Sequence, residues 1–231
     1  GRPEWTEGCA IVDSYLAAFE LWRQTGKPAY LESAHHIYWN GLGFNQRPSG
    51  GFGCDSCPGS DGTPSLKPHA NMFEAPDCCS MRGGEGIATA ANHVLLSGGA
   101  NLVVPMLQDA DGTLPLADGA VSVKLRTSYP YEGKLALDVV RSTSRAVAHV
   151  HVYVPSWVDR AHVVGKVAGK NVVLRHADGF AVFDVEAKPG TRLELSFPIE
   201  LRQVPPVNAA KLPKHRGYRH GPLVLGAVGL D

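Results

Sequence analysis

Beyond Cys79 the chain contains no cysteine: Cys9, Cys54, Cys57, Cys78 and Cys79 all fall in the first third of its 231 residues. An odd number clustered in this way does not make the spread disulfide framework of a small secreted domain, and it favours metal or catalytic use of the thiols. Excess charge is missing too. With 22 basic and 22 acidic residues and no basic run, neither a nucleic-acid backbone nor a membrane surface is an expected partner. No apolar stretch approaches the roughly 20 residues needed to cross a bilayer. There is no internal repeat and no low-complexity tract. Gly1-Arg2-Pro3-Glu4-Trp5 has neither an initiating methionine nor the charged start and apolar core of a leader, and the sequence is expected to be a piece of a longer protein. Apolar residues are plentiful, and at 44% hydrophobic the chain can bury a sizeable core in one large domain or two smaller ones.

Two periodicities divide the chain. Ile11, Val12, Tyr15, Leu16, Phe19 and Trp22 recur every three or four positions, which predicts a helix from Cys9 to a stop at Gly26. Pro28 suits the first turn of a second helix carrying Tyr30, Leu31, Ala34, Ile37, Tyr38 and Leu42, and the two are expected to pack as an antiparallel pair. The Gly-, Pro- and Ser-rich stretch from about Phe44 to Ser80 reads as a functional loop. A third helix is predicted from about Gly84 to Leu96, with Ile87, Ala91, Val94 and Leu95 inward. After Ser97-Gly98-Gly99 the period becomes two: Val121, Val123 and Leu125; Leu135, Leu137 and Val139; Val150, Val152 and Val154; Leu193, Leu195 and Phe197. Turn signals at Glu132-Gly133, Ala177-Asp178-Gly179 and Pro189-Gly190 separate them, and together they predict an antiparallel, jelly-roll-like β-sandwich in an α+β chain.

The chemistry concentrates at two places. Cys78 and Cys79 open the glycine-rich third helix, and Glu7 and Cys9 lie near the start. Together they can supply three sulfurs and a carboxylate, a set that a tetrahedral zinc ion accepts. Buried inert thiols or a strained vicinal disulfide are the other readings of Cys78-Cys79, and Glu7 can equally be a helix N-terminal carboxylate. Cys54-x-x-Cys57 has ligand spacing but only half a site, so a disulfide or two free loop thiols is the better reading. His149 and His151 alternate with valines on the wet face of a strand, and His35, His36 and His93 fall on helices. His69, in the long loop, is the histidine placed for a substrate contact. Trp39, Phe52 and Phe73 could stack on a ligand ring, although aromatic residues are more often core. Glu74, Asp77 and Glu85 are the acids near the cysteine pair that could donate a proton.

Several motifs occur in a fixed order: Thr6-Glu7-Gly8-Cys9, Thr25-Gly26-Lys27-Pro28-Ala29-Tyr30-Leu31 with Tyr38-Trp39-Asn40-Gly41-Leu42, Asp77-Cys78-Cys79, Thr127-Ser128-Tyr129-Pro130-Tyr131-Glu132-Gly133, Val154-Pro155-Ser156-Trp157, and Arg219-His220-Gly221-Pro222-Leu223-Val224. In this order they run through nearly the whole chain, which resembles the β-L-arabinofuranosidases of glycoside hydrolase family 127 and their relatives. The resemblance implies an (α/α)6 barrel followed by β-sandwich domains. Residues 1–99 would then be part of the barrel and carry the site, and residues 100–231 would be a sandwich. It also implies Zn2+ on Glu7, Cys9, Cys78 and Cys79, with Cys78 as the nucleophile of a retaining glycoside hydrolase acting on an arabinofuranoside or related carbohydrate. The family's acid/base glutamate lies upstream of Glu-x-Cys, so this stretch alone is expected to be inactive. Related sandwiches in the family mediate dimerisation, and a homodimer is one assembly the resemblance allows. A site of reduced thiols favours a cytoplasmic setting. Two departures bear on the substrate: Ser80-Met81-Arg82-Gly83-Gly84-Glu85-Gly86 stands where the family has prolines, and Cys54-Asp55-Ser56-Cys57 is extra. The competing reading, from another functional class, is a noncatalytic carbohydrate-binding or scaffold protein with a structural zinc.

Overall fold

The computed structural model describes residues 7–46, 50–52, 76–144, 147–205 and 216–225. Cys54, Cys57, His69, Phe73 and Glu74 lie outside the described residues, as does the side chain of Asp77. The chain divides into two compact units, residues 1–89 with 200–231, and residues 90–199.

In the first unit, α1 (Gly8–Thr25) and α2 (Pro28–Ile37) pack together. Gly26 takes the left-handed conformation at φ 68°, and its N–H donates to the Trp22 carbonyl at 2.7 Å, ending α1 where the sequence predicts. Pro28 then occupies the first turn of α2. The buried stripe of α1 is Ile11, Val12, Tyr15, Ala18 and Phe19; Leu16 and Trp22, expected inside, are only partly covered. Past Ile37 the helix widens into a π-helical turn, Tyr38–Leu42, before the short α3 (Gly43–Asn45).

A second π-helical turn, Pro76–Ser80, leads directly into α4 (Met81–Asn92). This corrects the third predicted helix, which starts three residues earlier than the expected Gly84 and ends before Leu96. Its inward face also differs. Gly83, Gly86 and Ala90 are buried while Ala91 is exposed, and of the expected residues Val94 is fully inside. The reason is close approach: a methyl group on Gly86 would come within 2.6 Å of Val12 Cγ2, and one on Gly83 would overlap the Phe52 ring. The helix backbone itself, free of side chains on that face, packs on its neighbours.

The second unit holds two sheets. Its strands are β1 (Leu96–Gly98), β2 (Asn101–Val104), β3 (Ala110–Leu116), β4 (Gly119–Thr127), β5 (Gly133–Ser142), β6 (Val147–Tyr153), β7 (Val164–Val167), β8 (Lys170–Val172), β9 (Arg175–Ala177), β10 (Phe180–Glu186) and β11 (Arg192–Phe197). One sheet has the order β1-β2-β6-β10-β9, the other β3-β4-β5-β11-β7-β8. The predicted alternation holds: Val121, Val123, Leu125, Leu135, Leu137, Val139, Val150, Val152, Val154, Leu193, Leu195 and Phe197 are all buried. One pairing departs from an antiparallel sandwich, since β2 runs parallel to β6 from Asn101 beside His149 to Val104 beside Val152. Asp178 and Gly179 both have positive φ, 49° and 86°, and make the tight turn between β9 and β10. Two of the sequence motifs meet on one ring: Tyr129, which precedes a cis proline, and Trp157 both lie edge-on to Phe197, at 6.4 and 6.2 Å between centroids.

A third sheet, β12 (Leu201–Val204), β13 (Gly217–His220) and β14 (Leu223–Leu225), belongs to the helical unit. Asn40, in the first π turn, joins it to α2. Its amide nitrogen donates to Pro222 O at 2.9 Å and to His36 O at 3.1 Å, while its oxygen accepts from the Val224 N–H at 2.7 Å. An Arg219 guanidinium N–H donates to His36 Nε2 at 2.8 Å. Burial and the cations Arg219 and Arg202 hold the His36 imidazolium pKa below its ordinary value.

Candidate metal centre

Cys9 stands in the first turn of α1, and Cys78 and Cys79 stand on the π turn before α4. The fold brings the three together. Cys9 Sγ is 3.1 Å from Cys78 Sγ and 3.8 Å from Cys79 Sγ, and all three sulfurs lie within 4.8 Å of one another. Their surroundings are graded: Cys79 is buried, Cys9 partly buried and Cys78 exposed. Cys79 packs in a core cluster with Ile11, Val12, Leu42 and Phe52.

Local sequence explains the approach. A side chain on Gly8 would press within 3.2 Å of both Cys79 Cβ and Asn45 Nδ2, so glycine next to Cys9 lets the start of α1 reach the π turn. On the other side, the Ser80 hydroxyl accepts from the Phe52 N–H at 2.9 Å and lies 3.2 Å from the Phe52 carbonyl, to which it donates. Phe52 is thereby fixed through its backbone by Ser80 and through its ring by Gly83. π-Helical turns of this kind recur at functional sites. Phe52 is core and offers no face to a sugar. Trp39 is half-buried and lies edge-on to Tyr38 at 5.0 Å.

The donor set suits a borderline-soft divalent ion. Sulfurs bound tetrahedrally at about 2.3 Å stand about 3.8 Å apart, which is the Cys9–Cys79 spacing, while Cys9 and Cys78 would separate slightly. Without a cation the arrangement disfavours charge. Burial, then hydrogen bonds with the Cys78 and Cys79 sulfurs, push the Cys9 thiol up to about 12; a bound dication reverses that preference and holds thiolates. Glu7 is not among the clustered donors. It is exposed, caps α1 with extended backbone (φ −94°, ψ 134°), and makes no side-chain capping bond. Glu85 is not in the cluster either: Arg82 donates to both Glu85 and Asp13. His149 and His151 sit half-exposed on their strand, as expected, paired with Asp184 at 2.6 Å and Asn101 at 3.0 Å. Gly83, Ser80 and Asn45, which shape the site's supports, carry no hydropathy signal; glycine spacing along a helix was the available clue for the first.

Residues 108–199 match the family model of the GH127 middle domain of β-L-arabinofuranosidase. The match bears out the resemblance carried by the sequence motifs, and the GH127 likeness extends beyond the middle domain in solved structures. A GH127 β-L-arabinofuranosidase from Geobacillus stearothermophilus T6 superimposes with a TM-score of 0.76 at 18% identity, over 94% of this chain and 36% of that one. A second GH127 β-arabinofuranosidase gives 0.77 at 20% identity, again over 94% and 36%. A third structure, described as a glycoside hydrolase, gives 0.77 at 17%, over 94% and 37%. The chain therefore shares their fold and spans about a third of their length. No curated protein matches it.

Proposed function

We propose that the chain is part of a zinc-dependent, retaining glycoside hydrolase like the β-L-arabinofuranosidases, with Cys78 as nucleophile and Glu7, Cys9, Cys78 and Cys79 as zinc ligands. The observation that carries this reading is the convergence of three sulfurs, with Cys78 the one open to solvent. Glu7, at the N-cap of α1, would complete the set by turning its carboxylate toward the sulfurs.

A retaining glycosidase needs a nucleophile on one side of the anomeric carbon and a proton donor on the other. Cys78 fills the first role: its sulfur attacks carbon 1 as the leaving oxygen takes a proton, and a thioglycoside forms on Cys78. Water then displaces the sulfur. Zinc, when bound, supplies thiolate character at neutral pH and makes that sulfur a better leaving group. Cys79, anchored in the core, and Cys9 hold the position of Cys78. The proton donor is a carboxylic acid outside this set, which the resemblance puts upstream of Glu7, and His69 contacts the sugar. In the same reading α1 to α4 are late helices of an (α/α)6 barrel, and the sheets of residues 90–199 form a jelly-roll-like sandwich with an architectural role.

The test is nitrophenol release from a nitrophenyl β-L-arabinofuranoside by the full-length protein, beside Cys78→Ala and a zinc determination. Stoichiometric zinc with turnover lost in the variant supports the reading. Full activity in Cys78→Ala sinks it. Zinc without turnover on furanosides or pyranosides points to the noncatalytic carbohydrate-binding or scaffold alternative.

A further inference from the structure

We infer that Cys9 and Cys78 form a peroxide-sensitive pair, which oxidation joins in a reversible disulfide while Cys79 stays a thiol. The cross-link rests only on the positions of the sulfurs; its effect on turnover rests on the function proposed above.

Three observations single out this pair. The Cys9 and Cys78 sulfurs are 3.1 Å apart, so closing to a disulfide of about 2.05 Å asks for movement of about 1 Å. Cys78 is exposed and meets a dissolved oxidant first, with Cys9 partly open beside it. Cys79 is wholly buried among Ile11, Val12, Leu42 and Phe52, out of reach of a dissolved oxidant, and its sulfur lies farther from Cys9, at 3.8 Å. The vicinal alternative is further disfavoured because successive residues on a helical backbone do not face each other.

The chemistry closes with hydrogen peroxide as the oxidant. The Cys78 sulfur takes one peroxide oxygen, giving a sulfenic acid and a water; the Cys9 sulfur then attacks that sulfur, the S–O bond breaks, and a second water leaves as the disulfide forms. Each sulfur loses one electron and peroxide takes both. A dithiol reverses the bond by exchange. A metal held by the three sulfurs and a Cys9–Cys78 disulfide exclude each other, because both cysteines must be thiolates to ligate. Oxidation therefore takes two ligands at once, one of them the nucleophile, and protects Cys78 from the irreversible sulfinic acid.

The experiment treats the reduced, metal-stripped full-length protein with hydrogen peroxide, then alkylates, digests and sequences the peptides by mass spectrometry. Expected are linked Cys9 and Cys78 peptides lighter by two hydrogens, separated again by dithiothreitol, with Cys79 alkylated only after denaturation. In Cys9→Ser the same treatment should carry Cys78 to the sulfinic acid. A Cys78–Cys79 bond, a bond from Cys78 to Cys54 or Cys57, or Cys78 in Cys9→Ser as fully reducible as in the parent overturns the inference. A protein without turnover on any sugar that still forms the cross-link refutes the proposed function and supports this inference.

Discussion

Gly83 lies flat against the ring of Phe52, leaving no room for a methyl group between them. Gly83→Ala should therefore force the ring or the helix to move and cost about 1–3 kcal/mol of stability, the usual penalty of overpacking. Gly84, one residue on and exposed, has no atom of the described residues within 4 Å of where a side chain would begin. Gly84→Ala should stabilise α4 by about 0.5–1 kcal/mol through helix propensity alone. Denaturant midpoints at unchanged slope separate the two, and equal stability for both variants would refute the packing described.

Gly8 offers a similar contrast at the cluster itself. Alanine there should favour the first turn of α1 yet push Cys79 away. If the three sulfurs hold zinc as proposed, its affinity should fall about 10- to 100-fold, the range seen when groups supporting a metal site are disturbed. A competition titration with a chromophoric chelator measures it, and an unchanged affinity would show that the approach of α1 to the π turn is not needed for binding.

Asn40 uses both ends of its amide across α2 and the β13–β14 turn. Asn40→Ala leaves a Val224 N–H and a Pro222 carbonyl without this partner and should cost about 1–3 kcal/mol. Asn40→Asp keeps an acceptor for Val224 but cannot donate to Pro222, so its loss should be intermediate. Thermal unfolding of the three proteins at one pH gives the order.

His36 makes stability depend on pH in a defined direction. Its folded pKa lies below the ordinary 6.5, so the unfolded chain binds the proton first as pH falls. Its contribution is complete above 6.5, declines as pH drops from there toward the folded pKa, and is level below that. His151 and His176 are shifted the same way, so the comparison must be with His36→Gln, whose pH profile should be flatter by the His36 share. Parallel profiles for the two proteins would contradict the assignment.

What the sequence disclosed tracks where hydropathy carries information. Gly26 and Pro28 bracket the break between α1 and α2 because each imposes a backbone dihedral, and the strands of the two sheets show because alternate valines and leucines are buried. The inner face of α4 was hidden because Gly83 and Gly86 contribute by having no side chain, and a scale that rewards Ile87 and Ala91 looks elsewhere. The two π turns each add one residue to a helical register, a shift that periodicity over so few turns cannot register. The Arg219–His36 bond depends on a partner 183 residues away, beyond the reach of any local pattern. At the candidate site, Cys9, Cys78 and Cys79 were legible as a set because few residue types suit a soft metal. The direction of the Glu7 side chain was not legible, since it is not set by a place before a helix.

The helical unit is assembled from both ends of the chain, residues 1–89 and 200–231, whereas the two-sheet unit is one uninterrupted stretch. During synthesis the contiguous sheet unit therefore emerges from the ribosome before the partners of Asn40 and His36 have been translated. Helices α1 and α2 are thus made before the two-sheet unit and completed after it.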